Sequence, residues 1–305
     1  MNTARRQFLG LAGGLLAGGL TSRLHAQSPA DGQWKHPVHR VANAAMSSSQ
    51  NAKTPRYTNG DPALCRALEM AQASLLKSRE EIDDYTALLV KRERVNGTLG
   101  EHEYMLMKCR NRKVAGGQLA QPFSVYLQFL KPAATKGREV IYVENENEGK
   151  LVAHEGGFKG KFLPTVTIPP DGMLAMRGQR YPLTEIGVEN MVIKLIERGE
   201  KALQFDDVTA EFRTGARVKD RTCTVLQVNQ PTRRPELDFF QAQVFMDDQL
   251  RMPIRYIAYD WPRPGSPAGS VGEVIEEYNY LNLQVNVGLK DSDFDPYNKQ
   301  YGFYG

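Results

Sequence analysis

The sequence predicts an α+β protein built on one large antiparallel sheet that curls, either as a barrel or as an open half-barrel. Three observations carry this. Apolar residues recur with period two in many short runs, and Pro, Gly or Asn turns separate many of the runs. A capped helix precedes them. One further helical pattern sits mid-chain, between two groups of strands.

Asp61 and Pro62 open the leading helix, with Asp as N-cap and Pro at the first helical position. Leu64, Leu68, Ala71, Leu75 and Ile82 then fall at helical spacing, an apolar stripe that needs a partner surface. After Tyr85 the period changes to two. In residues 103–109, Met105, Met107 and Cys109 share one face. In 123–130, Phe123, Val125, Leu127 and Phe129 alternate with Ser124, Tyr126 and Gln128. Runs of the same kind cover 139–143, 150–154, 222–228, 239–246, 254–261 and 274–283. Thr184 is placed to cap a helix over 185–203, whose Val188, Met191, Val192 and Leu195 form an apolar stripe. Its position between strand groups suits a helix lying across a sheet face.

Residues 1–26 read as a secretory signal: Arg5-Arg6, an uncharged stretch over 9–22, and Ala26 at a processing site. The apolar part is too short and too rich in glycine to cross about 30 Å of hydrocarbon. The expectation is an exported chain, periplasmic or otherwise extracytoplasmic, with no transmembrane span in its mature form. Arg5-Arg6 followed by Phe8-Leu9 is similar to the twin-arginine translocation signal of bacteria. An ordinary secretory signal with two chance arginines is the alternative. Residues 27–60, rich in Ser, Ala, Asn, Pro and Gly, read as a flexible tether, and 61–305 as a single domain.

Three of the 39 Lys and Arg and none of the 35 Asp and Glu lie in residues 1–26, so the remainder is close to neutral. No basic face for nucleic acid is implied. Cys65, Cys109 and Cys223 are odd in number and form no Cys-x-x-Cys, which allows one bridge or none. His102 and His154 fall in the folded part without a partner at metal-ligand spacing. The stretch Ala268-Gly269-Ser270-Val271-Gly272 lacks the first glycine of a nucleophile elbow, and a strand follows it instead of a helix. Asp291, Asp293 and Asp295 alternate as in a calcium loop, yet Pro296 and Gly302 stand where Gly and Glu are wanted. Carboxylates capping turns is the plainer reading. The glycines of 156–160 lack phosphate-loop spacing. No catalytic pair and no cofactor site stands out.

Lys91-Arg92-Glu93 with Gly97, then Pro122 to Leu127, Phe129-Leu130-Lys131-Pro132, Gly137 to Val143 and Gly149-Lys150-Leu151 form a succession of motifs. In that succession the chain resembles the periplasmic lipoprotein carriers of the LolA/LolB/RseB-like superfamily. Arg180-Tyr181-Pro182-Leu183 with Ile186-Gly187, and the ending over 286–295, are similar to the exported bacterial family called domain of unknown function 1571. That resemblance covers about 61–303.

It implies an open half-barrel of about eleven antiparallel strands, with helices plugging the concave side. In the carriers an apolar cavity there shelters acyl chains, and each buried methylene is worth about 0.8 kcal/mol. Met105, Met107, Phe123, Val125, Leu127, Phe129, Val244 and Met246 are the candidates for lining it, methionine suiting a pocket for flexible chains. The competing reading places these side chains in a closed core. No residue here corresponds to the carriers' lid-closing arginine. The function expected is a non-catalytic, exported, soluble protein that binds a lipid or lipoprotein acyl chain. The RseB resemblance implies an alternative, a sensor or interaction module for an envelope protein partner, with the Pro- and Arg-rich residues 230–235 as an exposed contact. A hydrolase with acids assembled across the sheet is the third reading.

Overall fold

Helix α1 spans Pro62–Glu81, and the Asp61 side chain accepts a hydrogen bond from the Leu64 amide at 2.9 Å. That bond satisfies one of the amides a helix start leaves open. The computed structural model describes Tyr57 and residues 60–304 apart from Lys161. The expected signal, with Arg5, Arg6 and Ala26, and nearly all of the expected tether lie outside the described residues.

Nine strands follow α1: β1 (Asp84–Val95), β2 (Thr98–Leu99), β3 (Glu103–Arg110), β4 (Lys113–Ala115), β5 (Gln118–Gln121), β6 (Ser124–Lys131), β7 (Glu139–Val143), β8 (Leu151–His154) and β9 (Val166–Ile168). A single helical turn, α2 (Gly157–Gly160), precedes β9, and helix α3 (Val188–Ala202) comes after it. The second strand group is β10 (Thr209–Val218), β11 (Arg221–Asn229), β12 (Gln241–Asp247), β13 (Pro253–Tyr259) and β14 (Val274–Val285). Among the described residues twelve strands form one sheet in the order β10-β11-β12-β13-β14-β1-β3-β6-β7-β8-β9, with β2 on β1, while β4 and β5 pair separately. The pairings are antiparallel, and β9 and β10 remain as edges, so the sheet does not close into a barrel.

Each predicted run became a strand of this sheet, with ends shifted by two residues at most. β9 and the short β2, β4 and β5 had no predicted counterpart, and neither had β10. It is an edge strand whose residues are largely exposed, so no apolar alternation marks it. The helix expected over 185–203 also begins later. Thr184 lies in a 3₁₀ turn, Leu183–Glu185, and the helix starts at Val188 after Gly187 at φ +108°. Thr184 makes no cap there. Two buried phenols take that role: the Gly187 amide donates to the Tyr280 hydroxyl at 3.2 Å and the Val188 amide to the Tyr85 hydroxyl at 3.0 Å.

The registers define an inner face. Across β1, β3, β6, β7, β8 and β9 it carries the row Ala87, Met107, Leu127, Val140, Ala153 and Val166. A parallel row carries Tyr85, Cys109, Val125 and Tyr142. Val188, Leu183, Ile186 and Met191 pack on this face, and Met191 also belongs to a second core under β11–β13 with Leu64, Val244 and Tyr256. α3 therefore bridges both halves of the sheet. α1 packs against α3 and beside β10. On the opposite face of β6–β8, Tyr126, Ile141, Val143 and Val152 are covered by Phe294, Tyr301 and Phe303 of the C-terminal segment.

A Cβ at Gly187 would lie 2.9 Å from the Tyr85 hydroxyl, in a backbone conformation that L-residues avoid. Gly187→Ala is expected to lower unfolding free energy by about 1–3 kcal/mol in urea denaturation, with the slope of the transition unchanged.

Candidate functional site

The inner face and the chain that crosses it between β9 and α3 enclose a cavity of about 780 Å³. Ligand pockets occupy roughly 300–1,000 Å³. Met105, Leu127, Phe129, Val140, Leu151 and Ala153 supply its sheet wall. Ile168 of β9 adds to that wall, and Leu183 and Ile186 of the crossing chain close the cavity together with Met191 of α3.

The eight candidate lining residues fall in three places. Met105, Leu127 and Phe129 line the cavity. Met107, Phe123 and Val125 are buried in the core with Tyr85 and Val188, away from the cavity wall. Val244 and Met246 line a separate cavity of about 60 Å³ between α1, α3 and β11–β13, with Leu68, Phe239 and Tyr256.

One end of the large cavity is charged, which sequence reasoning missed. Glu93 of β1 sits directly across from Glu276 of β14, and Lys91 across from Tyr278. Two like charges in register repel. Arg180 relieves this by binding both: its backbone amide donates to Glu93 at 2.9 Å and its Nε to Glu276 at 3.1 Å. Glu276, 1% exposed, also receives Arg198 Nη1 at 2.9 Å and the Tyr181 hydroxyl at 2.7 Å. Arg198 continues to the Tyr256 hydroxyl at 2.9 Å and to Asp238 at 3.1 Å. Lys91 lies 3.2 Å from Glu93 and 3.3 Å from Glu103, and it donates to Gln179, while the Tyr278 hydroxyl donates to Glu93. Lys194 pairs with Glu185 at 2.5 Å and stands 3.7 Å above the Tyr181 ring.

A signal for part of this end was present in the sequence. Glu276, Tyr278 and Tyr280 alternate along one strand, polar tips on a face that is otherwise apolar. Burial pushes the Glu276 carboxyl up, but Arg198, Arg180 and the Tyr181 hydroxyl outweigh it and hold the group below its ordinary value. Burial, and next the charge of Glu276, pushes the Tyr181 phenol well up.

Cys65, Cys109 and Cys223 are all buried. Burial pushes the Cys109 thiol up to about 12 and the Cys223 thiol up to about 11. His154 lines the cavity and meets the Thr165 hydroxyl at 3.1 Å, whereas His102 lies 3.4 Å from Glu277. Among the described residues no group of three His, Cys, Asp or Glu could hold a metal ion. Asp291 pairs with Arg110 at 2.5 Å, Asp293 pairs with Lys108 at 2.6 Å, and Asp295 accepts from the Tyr297 amide at 2.9 Å. In the 230–235 loop Gln230 is buried, and Arg233 and Arg234 reach Asp260 and Asp207 at 2.7 and 2.8 Å.

Fold and site thus define an open antiparallel sheet whose inner face carries a covered cavity, apolar along the sheet and charged at one end. The family model described as "Protein of unknown function (DUF1571)" matches residues 82–303, and the chain belongs to that family. Among curated proteins none matches. Solved structures similar to the chain include a DUF1329 family protein from Desulfovibrio piger, at 13% identity and TM-score 0.35 over 77% of this chain and 98% of that one. MucB in the Pseudomonas aeruginosa MucA/MucB complex is 14% identical with TM-score 0.41, over 75% of this chain and 60% of that one. A LolA superfamily protein from Nitrosomonas europaea is 10% identical with TM-score 0.30, over 74% of this chain and 97% of that one. Among the described residues no helix is long and apolar enough to cross a membrane.

Glu276→Gln leaves the Arg198 guanidinium without its buried counter-charge, and a loss of about 3–5 kcal/mol at neutral pH is expected. Because the folded carboxyl titrates below its ordinary value of 4.5, the stability it contributes is complete above that value and is lost as pH falls through the lower folded one. Urea denaturation over a pH series should therefore show a shallower acid decline in the variant than in the wild type.

Proposed function

We propose that the chain is an exported, non-catalytic binding protein that holds a lipid or lipoprotein acyl chain in the inner-face cavity, with α1 and α3 plugging the concave side of the half-barrel. The observation that carries this reading is the division of the cavity into a long apolar wall and one charged end, the polarity of an amphiphile. About fifteen buried methylenes contribute roughly 12 kcal/mol gross, enough to offset the ordering cost of a flexible chain without covalent chemistry.

The cavity mouth supports the same reading. Leu163 and Leu174 line the cavity and are 46% and 63% exposed. Phe158, Phe162 and Met173 are exposed beside them in sequence, and the two phenylalanine rings meet edge to face at 5.1 Å. Large apolar side chains held in water are a cost that an entry lip for acyl chains explains. The basic, apolar start of the chain supports export, and its paired Arg5 and Arg6 support the twin-arginine route.

Ala153→Trp projects an indole from β8 into the cavity. Fluorescent fatty-acid titration of the delipidated protein should show binding about tenfold weaker than wild type, with little change in Tm. Native mass spectrometry of gently purified wild type should reveal a bound lipid. A wild-type protein that carries no lipid and ignores acyl probes overturns the reading.

A further inference from the structure

A groove of about 580 Å³ lies against the charged end of the cavity and opens to the protein surface. Four arginines, Arg94, Arg180, Arg233 and Arg234, line it with two aspartates, Asp238 and Asp260, and with Trp261. The groove and the cavity share a wall. Arg180 lines the groove while binding Glu93 and Glu276, which line the cavity, and Asp238 lines the groove while binding Arg198, which lines the cavity.

The donors here exceed what the neighbouring carboxylates use. A guanidinium presents five N–H groups in a rigid fork, and one carboxylate oxygen does not saturate it. The Arg233 side chain is 64% exposed, donates from Nη2 to Asp260 at 2.7 Å, and lies 4.6 Å over the Trp261 ring. Arg234 reaches Asp207 with Nη1 at 2.8 Å and lies 4.6 Å over Phe205. The cation–π contact with each ring favours a position in which the rest of the fork is free to meet a ligand. The indole nitrogen of Trp261 is buried and has no hydrogen-bond partner among the described residues. Buried indole N–H groups ordinarily find an acceptor.

We propose that this groove binds a phosphoryl group, with Arg233 and Arg234 as the principal donors and the Trp261 ring beside them. Arginine forks match phosphate oxygens in bidentate fashion, and a phosphoryl group offers enough oxygens to engage more than one fork at once. The group comes either from free phosphate or from the headgroup of a lipid whose chain enters the cavity. Phosphoryl binding stands on the groove alone, and only the lipid source rests on the acyl-binding reading.

The chain has two tryptophans, Trp34 and Trp261, so Trp34→Phe leaves Trp261 as sole fluorescent reporter. The full chain carrying that change is titrated at constant ionic strength with inorganic phosphate, and separately with lysophosphatidylglycerol below its micelle threshold. A saturable change in Trp261 emission is expected, with apparent affinity reduced about tenfold or more by Arg233→Gln with Arg234→Gln, and by a smaller factor with the exposed Arg233→Gln alone. Tighter binding of the lysolipid than of phosphate identifies a lipid headgroup as the source, and equal affinities identify free phosphate. If the cavity ignores fatty-acid probes while the phosphate response persists, the acyl reading fails and the groove stands. No saturable change with either probe, or a change that both arginine variants leave intact, overturns the proposal.

Discussion

The pairing of β1 with β14 is the constraint on which the rest of this structure depends. β1, β3 and β6–β9 form one series of neighbours and β10–β14 another, and within each series most strands pair with the next or next but one in sequence. The two series meet only through β1 and β14, which are 12 residues each and align from Tyr85 against Val285 to Glu93 against Glu276. Joining the outer ends of the strand sequence at the middle of the sheet pushes β9 and β10, adjacent in the chain, to opposite edges. The chain between them must therefore cross the whole sheet. That crossing carries α3 and the cavity's cover. The junction is fastened at its end by Asp84, whose carboxylate accepts the amides of Val287 at 2.7 Å, Gly288 at 3.2 Å and Leu289 at 2.8 Å.

The same junction places Glu93 and Glu276 side by side on the buried face. Desolvating two adjacent carboxylates is unfavourable unless cations and hydrogen bonds compensate fully. The compensation comes from the crossing chain: Arg180 and Tyr181 before α3, and Arg198 within it. A buried network of this kind adds little net stability over well-packed apolar residues, but removing one member is costly. It also differs from apolar packing in being directional. The guanidinium and phenol bonds fix where the crossing chain sits on the sheet, which shape-tolerant aliphatic contacts do not.

Much of the fold was legible from periodicity alone. Every predicted strand run is a strand, and the Asp61 cap of α1 is made by the expected side chain. What escaped had no local signal. β10 is an exposed edge strand without apolar alternation. The start of α3 is set by Gly187 and by two phenols, from β1 and β14, that are distant in sequence. The candidate lining residues show the limit most clearly. Period two assigns Met105, Met107, Val125, Leu127 and Phe129 to one face, which is where they lie. It cannot say how far along each strand the cover reaches. Val188 sits against Tyr85 in the core that holds the Tyr85–Cys109–Val125 row and fills that part of the face, whereas Met105 and Phe129, further along, line the cavity. The difference between core and cavity is thus one or two positions along a strand, set by tertiary packing.

Charge is divided across the wall between cavity and groove in a way that bears on what each side can hold. At the cavity's polar end Lys91, Lys194 and Arg198, with Arg180 behind them, stand against Glu93, Glu103, Glu185 and Glu276. Each cation there meets a carboxylate within 3.3 Å, so the end is polar but close to neutral. An anionic headgroup drawn inside would have to displace a carboxylate from its partner, at a cost close to that of breaking a buried ion pair. A hydroxyl, ester or amide group meets no such barrier, since it can share donors already present. The groove's arginines are paired too, Arg94 with Glu273 at 2.9 Å, Arg233 with Asp260 at 2.7 Å and Arg234 with Asp207 at 2.8 Å, but those three carboxylates are partly in water and Arg233 remains largely exposed. Anion binding is inexpensive on that side because nothing buried must be displaced. An amphiphile with a neutral linkage next to its chain and an anionic group beyond it would meet suitable chemistry on both sides of the one wall that Arg180 and Arg198 maintain.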